Sequence, residues 1–267
     1  MNTKRKRMTL VAVLMLVGSI SWGQDGNVFQ HFSLSGGLGS TGLTMDMGTM
    51  MTDHFGLRAG VDLLGIYFHG CEDYEDFNKK LYLLDPDLEP LPEQKADTHL
   101  TNSSVHLLLD YYPFKPSKSG FHVTVGAYLA WHRQVESFEN ADYGAWRKIA
   151  DFNARRSEYA DVPAEMGPAT IEYYGYHVPT SAEGSFNAYM QTNRFRPYLG
   201  IGFGRAVPGQ RSLNAQLDLG VQFWGRPRLY DGITGKRLTQ VAYKSQATFG
   251  RNTVYPVITI RLAGRIL

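Results

Sequence analysis

The sequence predicts an all-β fold: an eight-stranded antiparallel up-and-down transmembrane β-barrel with long external loops. Three observations predict it. Segments throughout the chain alternate apolar and polar residues with period two. In Ser212–Gly225, Leu213, Ala215, Leu217, Leu219, Val221 and Phe223 share one face and Asn214, Gln216, Asp218, Gly220 and Gln222 the other. That is a strand with one apolar side; a helix would smear both classes round its surface. Second, no run beyond the N-terminal segment approaches the ~20 apolar residues of a membrane helix. A spanning chain of this kind must close into a barrel, which satisfies every backbone group in lipid. Third, short turns alternate with long polar connections, as in barrels with short periplasmic turns and long external loops.

In chain order, Met1–Gly23 reads as a signal peptide. Lys4, Arg5, Lys6 and Arg7 form its positive region, Met8–Ile20 its apolar region, and Ser21-Trp22-Gly23 its cleavage site. Residues 24–267 are then one barrel domain, delivered to the outer membrane after cleavage. Losing four positive charges takes the net charge from +2 to −2, which argues against nucleic-acid binding. Cys71 is the single cysteine, so neither a disulfide framework nor a cysteine-rich metal site is expected. No metal or other cofactor is expected.

The first strand, about Val28–Leu38, sets Phe32, Leu34, Gly36 and Leu38 against His31, Ser33, Ser35 and Gly37. Gly39-Ser40-Thr41-Gly42 is a turn. The second, Leu43–Met51, sets Leu43, Met45 and Met47 against Thr44, Asp46 and Gly48. The third, Phe55–Tyr67, sets Phe55, Leu57, Ala59, Val61 and Leu63 against Gly56, Arg58, Gly60 and Asp62. After a polar loop at 68–102, the fourth strand, Ser103–Tyr112, sets Val105, Leu107, Leu109 and Tyr111 against His106, Leu108, Asp110 and Tyr112. The fifth, Phe121–Arg133, sets Phe121, Val123, Val125, Ala127, Leu129 and Trp131 against His122, Thr124, Gly126, Tyr128 and Ala130. A loop at 134–194 follows; within Asp142–Tyr159, Trp146, Ile149 and Phe152 recur at helical spacing. The sixth strand begins at Phe195 and reaches the seventh, Ser212–Gly225, through a Pro208-Gly209 turn. A loop at 226–253 leads to the eighth, Val254–Leu267, with Ile258, Ile260, Leu262 and Ile266 against Thr259, Arg261, Ala263 and Arg265.

Phe121 and Trp131 cap one apolar face ten residues apart. At ~3.3 Å per residue and a tilt of ~40° they are ~25 Å apart along the membrane normal, the height of an apolar band between aromatic girdles. Tyr111, Phe223 and Tyr255 are expected in the same interface belts. The opposite faces carry the expected lumen network: Asp46, Arg58, Asp62, His106, Asp110, His122, Gln216, Asp218, Arg261 and Arg265. An eight-stranded barrel is only wide enough to be filled by side chains, so these charges must pair or be wetted. A salt-bridged plug and a narrow path for ions or small solutes are the two readings. His31 and Ser33 share a strand face and form the one base–nucleophile pair worth weighing, without an evident orienting carboxylate. Zinc-protease, nucleophile-elbow and Walker patterns are absent, so no enzyme is expected. The second external loop is acidic, through residues such as Glu72, Asp73 and Asp97. The fourth is basic, through Arg226, Arg228, Lys236, Arg237, Lys244 and Arg251. Basic groups there suit lipopolysaccharide phosphates.

Several segments carry a family resemblance: Ser40-Thr41-Gly42-Leu43 with Leu57-Arg58-Ala59-Gly60, Asp110-Tyr111-Tyr112-Pro113-Phe114, Arg196 to Gly204, Asp218-Leu219-Gly220-Val221 and Tyr255-Pro256-Val257. On these the chain resembles the small outer-membrane β-barrel proteins typified by the OmpA membrane domain and OmpX. The resemblance covers the strands but not the loops. It implies a porin-like barrel of the Gram-negative cell envelope with a structural or surface-interaction role. It also implies outer-membrane lipid, lipopolysaccharide and the barrel-assembly machinery as partners. A narrow pore is the alternative and a lipid A hydrolase a distant one. The chain ends Arg265-Ile266-Leu267, where such proteins usually end in an aromatic residue.

Overall fold

The structure is a computed structural model. It describes residues 31–72, 94–115, 119–140, 154, 171–173, 176–178, 181, 185–209, 212–238 and 253–266. The expected signal peptide, the helical spacing of Trp146, Ile149 and Phe152, and loop residues Asp73, Lys244 and Arg251 lie outside the described residues. The described strands are β1 (Phe32–Gly39), β2 (Gly42–Met50), β3 (Phe55–Leu63), β4 (Gly65–Glu72), β5 (Gln94–Thr101), β6 (Ser104–Tyr111), β7 (His122–Ala130), β8 (Gln134–Asn140), β9 (Ile171–Tyr173), β10 (Tyr176–Val178), β11 (Asn187–Gln191), β12 (Phe195–Phe203), β13 (Leu213–Gln222), β14 (Arg228–Asp231) and β15 (Tyr255–Arg265).

Eight of them close into an antiparallel barrel in the order β1-β2-β3-β6-β7-β12-β13-β15, with β15 pairing back onto β1. All eight are the strands read from the alternation. Closure leaves no unpaired edge, the condition lipid imposes on a sheet. Their apolar residues point outward and their polar residues inward. In β12, Phe195, Leu199, Ile201 and Phe203 are exposed while Arg196 and Tyr198 are buried.

The connections differ from the expected loops. Residues expected as loops 68–102, 134–194 and 226–253 contain a second sheet, ordered β4-β5-β8-β11-β14. That order repeats the barrel order β3-β6-β7-β12-β13. Each of these barrel strands therefore steps at one end and continues into the sheet: β3 through Leu64, β6 through Asn102-Ser103, β7 through Trp131-His132-Arg133, β12 through Thr192-Asn193-Arg194 and β13 through residues 223–227. Backbone bonds hold the steps, with Trp131 N on Ser103 O (3.0 Å), Ala130 N on Arg194 O (2.8 Å) and Thr192 N on Arg133 O (2.9 Å). An apolar cluster including Val135, Phe138, Phe186, Ala188, Met190 and Trp224 packs the inner side of this sheet.

A turn folds inward at each end of the barrel. At the sheet end the short turn after β1 folds inward. Gly42 has φ of 91°, and a Cβ there would lie 2.1 Å from Leu63 O, so only glycine closes this turn. The turn lets Thr41 Oγ1 donate to Asp62 Oδ1 (2.9 Å) and presents Ser40 O to the Tyr255 hydroxyl (2.5 Å). At the opposite end the chain after β12 turns into the mouth. Ala206 and Val207 are buried there; Ser33 Oγ donates to Ala206 O (2.7 Å) and Ala206 N donates to the Tyr112 hydroxyl (3.0 Å). Arg205 lies over the Tyr112 ring, 4.5 Å from its centroid, and donates to Asp53 O. Burial pulls the Arg205 pKa below its ordinary value, against the pull of Tyr112 and Asp53.

Candidate functional site: a charged lumen

The middle of the barrel holds a network of charged side chains that are all nearly inaccessible. It is built from a cross-strand pattern used twice. Asp46 of β2, Gly60 of β3 and His106 of β6 stand in one register row. Asp218 of β13, Gly202 of β12 and His122 of β7 stand in another. In each row the glycine leaves room for the side chains beside it. A Cβ on Gly60 would lie 2.2 Å from Asp46 Oδ1 and 2.8 Å from His106 Nε2. One on Gly202 would lie 2.4 Å from His122 Nε2 and 2.6 Å from Asp218 Oδ1.

Across the first gap His106 Nε2 meets Asp46 Oδ1 at 2.5 Å, and its Nδ1 meets Asp62 Oδ2 at 2.6 Å. Across the second, His122 Nε2 meets Asp218 Oδ1 at 2.8 Å and its Nδ1 faces Gly120 O at 3.1 Å. Each ring stands between two oxygen atoms.

Two arginines join the rows. Arg58 Nε lies 2.7 Å from Asp110 Oδ2, and Nη2 donates to Asp110 Oδ1 at 2.8 Å. Its Nη1 and Nη2 reach Asp218 at 3.0 and 3.3 Å, so one guanidinium serves two carboxylates, each through two nitrogens. Arg261 Nε lies 2.7 Å from Asp46 Oδ2, and its Nη1 ion-pairs with Asp218 Oδ2. Thr124 Oγ1 donates to Asp110 at 2.7 Å. Four carboxylates face two guanidiniums and two imidazoles. Paired charges of this kind are tolerated where a lone buried charge is not.

The structure therefore brings together Asp46, Arg58, Asp62, His106, Asp110, His122, Asp218 and Arg261. Gln216 is buried on the same inner face, but neither of its amide atoms has a hydrogen-bond partner, so it stands beside the network. Arg265 is a correction: it is exposed at the rim and bonds Gly209 O (3.2 Å) and His31 Nδ1 (2.8 Å), because β15 ends there and leaves the lumen. His31 and Ser33 do not pair; His31 is held by Arg265 and Ser33 by Ala206.

Among the expected interface aromatics, Tyr111, Trp131 and Phe223 are exposed on the outer face. Phe121 is half-buried, with its ring edge-on to Phe203 at 5.5 Å. Tyr255 is a correction. It shares the parity of Val257, Thr259 and Arg261, so it points inward, 9% exposed, with its ring 4.9 Å from Trp224. Sequence reasoning also missed Arg196, which is buried near the sheet end of the lumen. Its signal was available, since it alternates with Phe195 and Pro197 on the inward face of β12.

No ligand-binding cluster of three or more His, Cys, Asp or Glu side chains suited to a metal occurs among the described residues. No protein-family model and no curated protein matches the sequence. Two solved structures are similar in architecture, both crystal structures from Acinetobacter baumannii. CarO2 aligns with 90% of this chain and 100% of its own, at a TM-score of 0.48 and 14% identity; CarO aligns with 89% and 97%, at 0.45 and 14%.

Proposed function

We propose that this chain is an integral outer-membrane β-barrel with a structural or surface-interaction role, its lumen sealed by the charged network. One observation carries the reading: the outward positions of all eight barrel strands hold no charged side chain. Met45, Met47, Leu107, Val125, Leu199, Ile201, Ile258 and Ile260 are among the exposed residues of that surface. A soluble barrel would show water its polar face and pack the apolar one, since exposed apolar surfaces of this extent mark an interaction site. This barrel does the reverse, as a lipid-facing one must. No helix among the described residues is long and apolar enough to cross a membrane, so the strands would carry the span.

The sealed lumen supports a scaffold over a pore, and the separation of His31 from Ser33 supports a non-enzymatic role. The second sheet would stand outside the cell as the interaction surface. Exposed Arg133, Arg194, Arg226 and Arg228 lie just beyond the outward-facing Trp131, Phe195 and Phe223. That position favours outer-leaflet lipopolysaccharide as the neighbouring partner. The test is a heat-modifiability gel on detergent-solubilised outer membranes, beside planar-bilayer conductance of the same preparation. Faster migration before boiling and no steady conductance are expected. A protein found in the soluble periplasm without a heat shift would overturn the membrane reading, and steady conductance would replace the scaffold with a pore.

A further inference from the structure

A cavity of about 470 Å³ lies where the barrel strands step into the second sheet. Its walls come from the three neighbouring steps: Thr101, Asn102 and Ser103; Trp131, His132 and Arg133; and Gln191 and Arg196, with His99 above. Thr101, Ser103 and Trp131 share the outward parity of Val105 and Leu129, so this side of the cavity faces away from the barrel axis. Its volume is in the range of small-molecule sites and far exceeds that of a water.

The chemistry of the walls is one-sided. Among the described residues no Asp or Glu lines the cavity. Arg196 is fully buried, yet its bonds go only to neutral acceptors: Nε to Asn193 O (2.9 Å), Nη2 to Thr192 Oγ1 (3.0 Å) and Nη1 to Asn102 Oδ1. One N–H on each terminal nitrogen remains, the pair that a guanidinium offers to a phosphate or carboxylate. The Arg58 and Arg261 guanidiniums have carboxylates; this one has none among the described residues. Asn102 Nδ2 is likewise buried; the Tyr255 oxygen beside it, whose own proton goes to Ser40 O, can accept one of its two N–H groups and leaves the other. The unspent groups are therefore all donors around a positive centre, and exposed Arg133 adds a second cation. Burying a guanidinium without a counter-charge is costly, so the arrangement is complete only when an anion is seated. The upper wall adds an aromatic plate: His99 stacks on exposed Tyr67, with centroids 3.9 Å apart and planes 4° from parallel.

We propose that this cavity binds a phosphorylated sugar, with the phosphate on Arg196, Asn102 and Arg133 and the sugar against the His99–Tyr67 plate. Trp131 on its wall is an interface aromatic, so the headgroup of an outer-leaflet glycolipid is the fitting source. That source, but not the anion site itself, rests on the membrane placement proposed above.

The test uses the full-length protein purified in a zwitterionic detergent and titrated with three probes: bisphosphorylated lipid A, its dephosphorylated form, and water-soluble glucosamine 1-phosphate. The expected result is at least tenfold tighter binding of phosphorylated than dephosphorylated lipid A, weakened by salt. Arg196→Gln should abolish that difference, and Arg133→Gln should reduce it about threefold. If Arg196→Gln loses its heat shift, Arg133→Gln decides, because its side chain is exposed and its removal leaves the barrel intact. Binding of lipid A without glucosamine 1-phosphate would assign the site to the lipid; binding of both would show that the phosphorylated sugar suffices. Equal affinity for the phosphorylated and dephosphorylated lipid, or no loss in either arginine variant, overturns the proposal. The heat shift of the same sample reports separately on the barrel, so a failed site and a failed membrane reading give different results.

Discussion

At the scale of single residues, the lumen works by subtraction as much as by charge. Gly60 and Gly202 leave the gaps that His106–Asp46 and His122–Asp218 fill. Alanine at either position meets charged atoms fixed by further ion pairs, so neither side chain has room to give. Gly60→Ala and Gly202→Ala should each destabilise the barrel by about 1–3 kcal/mol, the usual cost of overpacking. Urea unfolding in detergent, followed by the heat shift, measures this; an unchanged midpoint would mean that the His–Asp contacts yield freely. Arg58 gives a second prediction. Its removal strands Asp110 in a buried site and leaves Asp218 with Arg261 alone of its two guanidiniums, so Arg58→Ala should cost about 3–5 kcal/mol. Neutralising one stranded partner should recover part of that loss, so Arg58→Ala/Asp110→Asn should fall less than the sum of the single variants. Strict additivity would show that the pair is not coupled.

At the scale of the strand, the outer face makes the sharper prediction. Leu199 sits between Val125 and Val221 in register, near the middle of β12. In lipid, Leu199→Arg should lower stability by about 2–4 kcal/mol, falling to ~1 or less toward the strand ends. Unfolding in phospholipid vesicles reads this depth dependence, and a uniformly neutral effect along β12 would argue for water outside the barrel. The same alternation explains what could be read in advance. All eight barrel strands were legible because their outward faces are apolar and their inward faces line a packed polar lumen, which forces period two. The second sheet was not. β5 reads Gln94-Lys95-Ala96-Asp97-Thr98-His99-Leu100-Thr101, with polar residues at both parities, so no alternation marks it as a strand. At single positions the limits were parity and strand ends. Tyr255 was expected outside although its parity is that of Arg261, and Arg265 was expected inside although β15 stops there. The partners of each lumen charge depend on which strands close the barrel: the register of β13 and β15 sets Asp218 near Arg261, while Arg58 reaches it from β3 across the lumen.

At the scale of the whole molecule, the lumen is closed twice. The charged network fills the middle, and the Arg205-Ala206-Val207 turn enters the lower mouth, held by Ser33, Tyr112 and Asp53. Either closure suffices to stop ions, since a barrel of eight strands has only side-chain width to spare. Removing one should therefore leave the protein silent. Arg58→Ala/Asp110→Ala/Asp218→Ala keeps the lower turn, and replacing Arg205, Ala206 and Val207 with glycine keeps the network; neither should conduct. Only the combination should give steady current in planar bilayers, provided that its heat shift persists. Current from the network variant alone would mean that the turn is no barrier, and the network would then be the single gate. Current from the wild type would remove the seal altogether and return the molecule to the class of narrow pores.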